Sequence, residues 1–411
     1  MNDPASLETK IEASADDRAS CRVAPYYVIA LLMAAPAILI GYQLPSWIVF
    51  VPSPVIERQA DFRPFYAAGY ALRTGRASEL YNFAAMREIQ DRTVAADREA
   101  RPFIHPAYEA LIFVPLARFS YHVAYLLWVG VNVALLFAIY RLLRPRLRRL
   151  CRMDVAWLPW ALLPAFFPIP YAVMQGQDSL LLLLILLISM KRMEDGSQVQ
   201  AGLLLGLGSF RFQLLLPMVL LFLLWRAWRF VAGFLLSSSA MFALSILVSG
   251  WRSQLAYLDL LKLLASRPYL QPIGHMVNLR SLVLHFGGDP NLVILPSLVI
   301  LAVAVNAGLK CGWQERWMLS ISATALITYH FILHDLSILA VPLLVSIERT
   351  IERENWPTLG FLGVILTLPM VMLVDQDAGY LPALGGVCFF LFLALTSSPF
   401  GFLGSKAARM V

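Results

Sequence analysis

Charge is what this sequence has least of: 14% of its 411 residues are charged, against about 25% in an ordinary soluble domain. With 59% of the residues hydrophobic, that shortage excludes a soluble globule covered in ions. Cysteine is scarce too. The four present form no CxxC pair and no Cys/His cluster, so neither a disulfide framework nor a structural zinc site is expected. No Gly-rich loop opens a helix after a strand, which leaves nucleotide-sugar or ATP use without a visible site. The basic residues behind a net charge of +7 are scattered over short joints rather than gathered on one face, so nucleic-acid binding is not expected. No internal repeat or mirrored pair of broken helices suggests a transporter built from inverted halves.

What remains is apolar sequence. Runs recur from residue 26 almost to the C-terminus, as in "LLLLLILLISM" at 180–190. They are continuous rather than alternating, so helices and not barrel strands must cross the bilayer. The fold class is therefore all-α: a polytopic membrane protein of about eleven to twelve transmembrane or re-entrant helices. Residues 1–25 read as a polar cytoplasmic tail rather than a cleaved signal. Residues 26–400 read as one membrane domain opening with a span at 26–50, and residues 401–411 as a second cytoplasmic tail.

Cytoplasmic joints collect Lys and Arg, and the clearest such joint is "RLLRPRLRRLCR" at 141–152. Placing it inside puts residues 53–118 outside, in a long first loop. That loop holds eight arginines from Arg58 to Arg101, against the charge rule. Its middle, "ASELYNFAAMREIQDRTVAADREA", has the spacing of a helix lying on the membrane surface; "HPAYEALIFVPLARF" at 105–119 is too short to span. The stretch 201–225 is read as two half-helices around "SFRFQ", which returns "WRAWR" to the inside. "GQDS" (176–179), "GHMVNLRSLVLHFGGD" (274–289), "YHFILHD" (329–335) and "DQDAGY" (375–380) then fall outside. This sorts Asp61, Arg63, His105, Gln177, Asp178, Arg211, His275, Asn278, Arg280, His330, His334 and Asp335 onto one side. Polar groups near hydrocarbon are costly unless paired or facing a wet cavity, so the concentration points to a site.

"ADFRPFYAAGYALRTGRASELYN", "IHPAYEALIFVPLARF", "GQDSLLLLLILL", "AGLLLGLGSFRFQLLLPMVLLF", "NLRSL" and "HFILHDLSILAVPLLV" occur in the order seen in glycosyltransferase family 87. This order resembles the bacterial polyprenyl-phosphomannose-dependent mannosyltransferases of the GT-C membrane superfamily. "IHP" stands where that family often has Tyr-Pro-Pro. "FRFQ" has Arg211 where a lysine followed by proline is usual, which keeps a cation but changes its shape.

The resemblance implies an inverting transfer of a hexose, mannose above all, from a polyprenyl-phosphate donor to a glycolipid or polysaccharide acceptor. The transfer occurs at the outer face of the bacterial cytoplasmic membrane, among membrane lipids and without metal or cofactor. Asp61, the acid of the first outer loop, is the implied base; its residue-level alternative is to cap the following helix. Arg211 is the leading donor-phosphate cation, with snorkelling or pairing to Asp178 as its alternative. Arg280 and Arg63 are further phosphate candidates. Lys262 and Arg267 suit anionic head groups. His330 and His334, four apart, are expected to share a helix face, which invites a zinc reading. No third metal ligand joins them, and the resemblance implies that one tunes Asp61 or contacts phosphate. His105, Gln177, Asp178, Asn278 and Asp335 are candidate sugar or acceptor contacts, although "GQD" reads first as a tight turn with Gly176 supplying backbone freedom. A lipid-linked-sugar flippase, or a silent family member acting as a partner subunit, would use many of the same groups.

Overall fold

The computed structural model describes residue 41 and residues 60–96, 101–152, 158–266 and 273–397. The expected first span at 26–50, both terminal tails, Cys21 and Arg267 lie outside the described residues. Within them the chain is helical and no strand forms; Met276 and Ile332 make one isolated bridge.

Among the described residues, five helices are long and apolar enough to cross a membrane: Tyr121–Arg146, Trp228–Ser249, Pro290–Gly308, Trp356–Leu373 and Gln376–Thr396. A further pair, Gln198–Leu207 and Ser209–Leu224, is bent by 67° at its break, as in a broken span or a re-entrant loop. The expected eleven to twelve segments included shorter helices. Ser179–Glu194 has 16 residues and Trp313–Ile327 has 15, below the roughly 20 that a full crossing needs.

Apolar faces decide which helices are central. Tyr121–Leu143 buries Tyr125, Trp128, Asn132 and Ile139 while leaving Leu126, Leu127, Val133 and Phe137 uncovered. That is a helix with one packed side and one side suited to lipid. Ser179–Glu194 and the continuous run Leu333–Glu352, a 3-10 turn leading into an α-helix, are instead covered nearly all round. Helices apolar on every side belong in the middle.

Small residues fix the course of the broken pair. An added Cβ at Gly202 would lie 2.0 Å from the Phe230 carbonyl oxygen, one at Gly206 2.6 Å from Ser237 Cβ, and one at Gly233 2.3 Å from the Val199 carbonyl oxygen. Gln198–Leu207 and Trp228–Ser249 therefore run side by side in the same direction, backbone against backbone. The intervening helix Phe212–Leu224 must bring the chain back, and Arg226 and Arg229 return to the end where residue 198 began.

The molecule thus has two ends. At one, Arg146 pairs with Glu194, the Glu348 carboxylate accepts from the Arg149 and Leu150 amides at 2.5 and 3.0 Å, and Arg349 binds Glu315 at 2.7 Å. At the other lie Asp61, His105, Gln177, Arg211, Asn278 and the 328–335 segment. Over that end sits a layer from the first loop, with helices Phe62–Arg73 and Phe83–Thr93. Phe65 stacks on Phe113 at 4.8 Å, and Gly69 lets the chain at Phe113 approach to backbone contact.

Candidate active site

Asp61 stands at the N-cap of Phe62–Arg73, yet its side chain makes no capping hydrogen bond. The carboxylate is turned the other way. One oxygen pairs with the Arg101 guanidinium. The other accepts from Gln177 Nε2 at 2.8 Å and lies 4.0 Å from His334 Nδ1. The Asp61 backbone amide donates to Gln175 Oε1 at 3.2 Å. The side chain keeps 27% of its surface exposed, so it forms the rim of what lies behind it.

The tight turn expected at "GQD" is present. Gly176 has φ +67°, a left-handed conformation that suits glycine, and a Cβ there would lie 2.7 Å from Phe62 Cβ. Trp128 Nε1 donates to the Gly176 carbonyl at 2.9 Å and Tyr125 Oη to that of Met174 at 2.6 Å. The turn is thereby fixed against the residue that follows Asp61.

Behind the turn is a buried polar cluster. Arg211 sits at the break of the bent pair, and its Nε donates to both Asp178 oxygens at 3.0 and 3.2 Å. Its Nη2 donates to Gln177 Oε1 at 2.6 Å, and its Nη1 lies 3.3 Å from Asp335 Oδ1. Only 5% of the side chain is exposed. The exposed guanidinium expected at a hairpin tip is corrected: in this structure Arg211 is an internal hub, occupied by two acids and an amide. Those acids were needed beside it because a buried charge must be paired. Asp178 and Asp335, expected as sugar or acceptor contacts, are both buried and pair with Arg211, Asp335 also accepting from the Ile332 amide at 3.2 Å.

Arg63 also departs from expectation. It is fully buried, donates to Gln90 at 2.9 Å and to the Ala95 carbonyl at 2.7 Å, and pairs with Asp91. It pins the helix Phe83–Thr93 to its neighbour instead of meeting a phosphate. Asn278 caps Leu279–His285 through the Arg280 amide at 3.0 Å and donates to the Thr328 carbonyl at 2.7 Å. Its amide is spent on the fold. His330 lies in a bend before the 3-10 turn that carries His334, so the two do not share a helix face. Arg280 remains at the site: its guanidinium stacks 3.9 Å from the Tyr329 ring and donates to the Tyr329 carbonyl at 3.1 Å.

His105 is buried between Phe65 and Phe103, with ring centroids 4.9 and 5.5 Å away. Its segment is hung from Tyr81 and Tyr257, whose hydroxyls donate to the His105 and Ile104 carbonyls at 2.9 and 3.0 Å. His105 Nδ1 lies 2.7 Å from Glu109 Oε2, although the angle is too poor for a hydrogen bond. Burial, with Arg211 nearby, pushes the His105 imidazole down to about 3, and the ring is neutral. Burial and the Asp178 charge push the Glu109 carboxyl well above the carboxylate range. Burial likewise lowers His330 to about 4. His105, Glu109 and Asp178 offer three ligand-type atoms within 4.8 Å of one another. Arg211 already claims both Asp178 oxygens, and a neutral Glu109 can donate to Asp178; the trio fits a shared proton better than a metal ion.

Hydrogen-bond satisfaction breaks down here. His105 Nδ1, both Glu109 oxygens, His330 Nδ1, His334 Nδ1, Asp335 Oδ1 and Arg280 Nε are buried without a hydrogen bond. Such groups are rare in well-packed interiors and call for an explanation, a catalytic role being one; here seven of these atoms fall around Asp61 and Arg211. A carboxylate on the rim, imidazoles behind it and guanidiniums beside it can take a proton and balance an anion.

A family model, glycosyltransferase family 87, matches residues 103–342. The chain belongs to that family. The match spans more than half of the glycosyltransferase and contains His105, Glu109, Gln177, Asp178, Arg211, Arg280, His330, His334 and Asp335. Asp61, Arg63 and Arg101 precede it. No curated protein and no solved structure matches the chain.

Sequence reasoning missed Arg101 and Glu109. Glu109 had a signal, its four-residue spacing from His105. Arg101 had none, because nothing local links it to an acid forty positions earlier.

Proposed function

We propose that this glycosyltransferase moves a hexose, mannose above all, from a polyprenyl-phosphate donor to a glycolipid or polysaccharide acceptor. The proposed place is the outer face of the bacterial cytoplasmic membrane. The observation that carries the reading is the Asp61 carboxylate, uncapped, partly exposed and steered by Arg101 and Gln177 at the rim of the buried cluster. In this scheme Asp61 takes the proton of the acceptor hydroxyl as its oxygen bonds to the anomeric carbon. The bond from that carbon to the phosphate oxygen breaks, the electron pair leaves with the phosphate, and the anomeric centre inverts. The leaving group is already acidic, so it needs charge compensation rather than a proton. With Arg211 and Arg63 committed elsewhere, Arg280 and Arg101 are the cations best disposed for phosphate, and His330 and His334 supply neutral imidazoles beside it. No step requires a metal ion or cofactor.

The rival is a flippase for lipid-linked sugars, which needs the cations but not the base. Purified wild type and Asp61→Asn are compared in nanodiscs with radiolabelled polyprenyl-phosphate mannose and a membrane-lipid extract. Positioned general bases contribute about 10²–10⁴-fold, so a loss of that order in a folded Asn variant is expected. Equal turnover in both would remove Asp61 as the base. Translocation of the donor without transfer by wild type would favour the flippase.

A further inference from the structure

We infer that Gln177 is a positioning residue for the base: it links the buried Arg211 hub to the Asp61 carboxylate and orients that carboxylate for proton transfer. The inference rests on the proposed role of Asp61. It replaces the expectation that Gln177 binds sugar.

A guanidinium only donates, so the Gln177 atom 2.6 Å from Arg211 Nη2 must be Oε1. The amide has no alternative orientation, which leaves Nε2 as the atom 2.8 Å from Asp61 Oδ2. Asp178 holds the guanidinium from its Nε side, so the donor that fixes Gln177 is itself fixed. Gln177 is also held by its backbone: its amide donates to the Ala172 carbonyl at 2.9 Å, and the Gly176 turn before it is clamped by Trp128. A buried side chain on a rigid turn, locked at one end, thus presents a single N–H to one carboxylate oxygen. An orienting partner of this kind pre-sets the geometry of a base.

Other groups also face Asp61. Arg101 contacts its first oxygen, His334 Nδ1 lies 4.0 Å from its second, and the Tyr121 and Tyr171 phenols interact with it electrostatically. Arg101 is 37% exposed and approaches from the loop. His334 also reaches the cluster, its Nε2 lying 3.4 Å from Asp335 Oδ1, but of the contacts to Asp61 the Gln177 amide is the one that hydrogen-bonds both the carboxylate and the Arg211 guanidinium.

Gln177→Glu tests the link, because a glutamate still accepts from Arg211 but turns an acceptor instead of a donor toward Asp61. Rates against pH are measured in nanodiscs with polyprenyl-phosphate mannose for wild type, Gln177→Glu, Gln177→Met and Asp61→Asn. For Gln177→Glu the expected result is kcat lower by about tenfold or more at neutral pH. Donor KM should stay within about threefold, and the acid limb of the pH–rate profile should move to higher pH, since negative charge beside the base favours its protonated form. Gln177→Met, similar in length and without hydrogen bonds, should lose kcat with a smaller movement of the acid limb. A wild-type pH profile and kcat in both Gln177 variants, with Asp61→Asn inactive, would overturn this inference and leave the base in place. A raised KM with kcat and profile unchanged would also overturn it, by returning Gln177 to substrate binding. Full activity in Asp61→Asn would instead bring down the reading of the base.

Discussion

Glu109 shows at the residue scale how the buried cluster keeps its charges in balance. Three acids, Asp178, Asp335 and Glu109, surround one guanidinium, and the neighbouring His105 and His330 are neutral. The burden is lightened if Glu109 keeps its proton, and its carboxyl is indeed raised well above its ordinary 4.5 by burial and Asp178. The linkage has a definite sign. Below 4.5 the folded and unfolded chains both hold the Glu109 proton; above it the unfolded chain releases the proton while the folded chain keeps it. Stability from this group is therefore lost as pH rises from 4.5 toward the folded-state value. Glu109→Gln mimics the neutral acid without titrating. Its melting temperature should rise relative to wild type as pH is raised from about 4.5, with transfer activity retained within a few fold. His105 works oppositely in the wild type, costing stability as pH falls from 6.5 toward about 3, which is why the difference between the two proteins is the useful readout. A variant that melted progressively lower than wild type as pH rose would mean that Glu109 is ionised in the fold.

Elements were legible in the sequence where one periodicity governed them, and illegible where partners came from distant segments. Continuous leucine runs announced helices, and the polar "SFRFQ" interruption announced the break between Leu207 and Phe212. The turn at Gly176 followed from its composition. The fate of Arg211 did not, because its surroundings are built from Gln177, Asp178 and Asp335, which lie 33 to 124 positions away in sequence. Arg63 failed for the same reason: its partners Gln90 and Ala95 belong to another element. The packing of the broken pair against Trp228–Ser249 gives a prediction at this scale. Gly202→Ala sets a methyl 2.0 Å from the Phe230 carbonyl oxygen, and overpacking of a tight contact typically costs about 1–3 kcal/mol. Gly130→Ala, with nothing within 4 Å of the new methyl, is the control. Detergent-solubilised Gly202→Ala should melt several degrees lower and Gly130→Ala at or slightly above wild type, because alanine is the better helix former. Equal melting temperatures would mean that the two helices are not in backbone contact.

For the whole molecule, the separation of its two ends ties the fold to the chemistry. Arg141, Arg144, Arg146, Arg148, Arg149, Lys191, Arg192, Arg226, Arg229, Lys310, Arg316, Arg349 and Arg353 flank the helix ends opposite Asp61. The Asp61 end instead gathers the buried acids Glu109, Asp178 and Asp335 and five of the six histidines, those outside the long apolar spans: His105, His275, His285, His330 and His334. The arginine-rich first loop is the exception, and Arg63 and Arg76 are answered there by Asp91, Glu79 and Glu88. Since cytoplasmic flanks collect Lys and Arg, the Asp61 end should face outward, where a lipid-linked sugar and a polar acceptor can meet. Asp377, 76% exposed beside His275, marks that end, and Asp195, in the turn after Glu194, marks the other. In a background with the four cysteines changed to serine, Asp377→Cys should react with a membrane-impermeant maleimide in intact cells. Asp195→Cys should react only after permeabilisation. The reverse pattern would place Asp61 inside, and both the outward orientation and the proposed supply of donor from the outer face would fall with it.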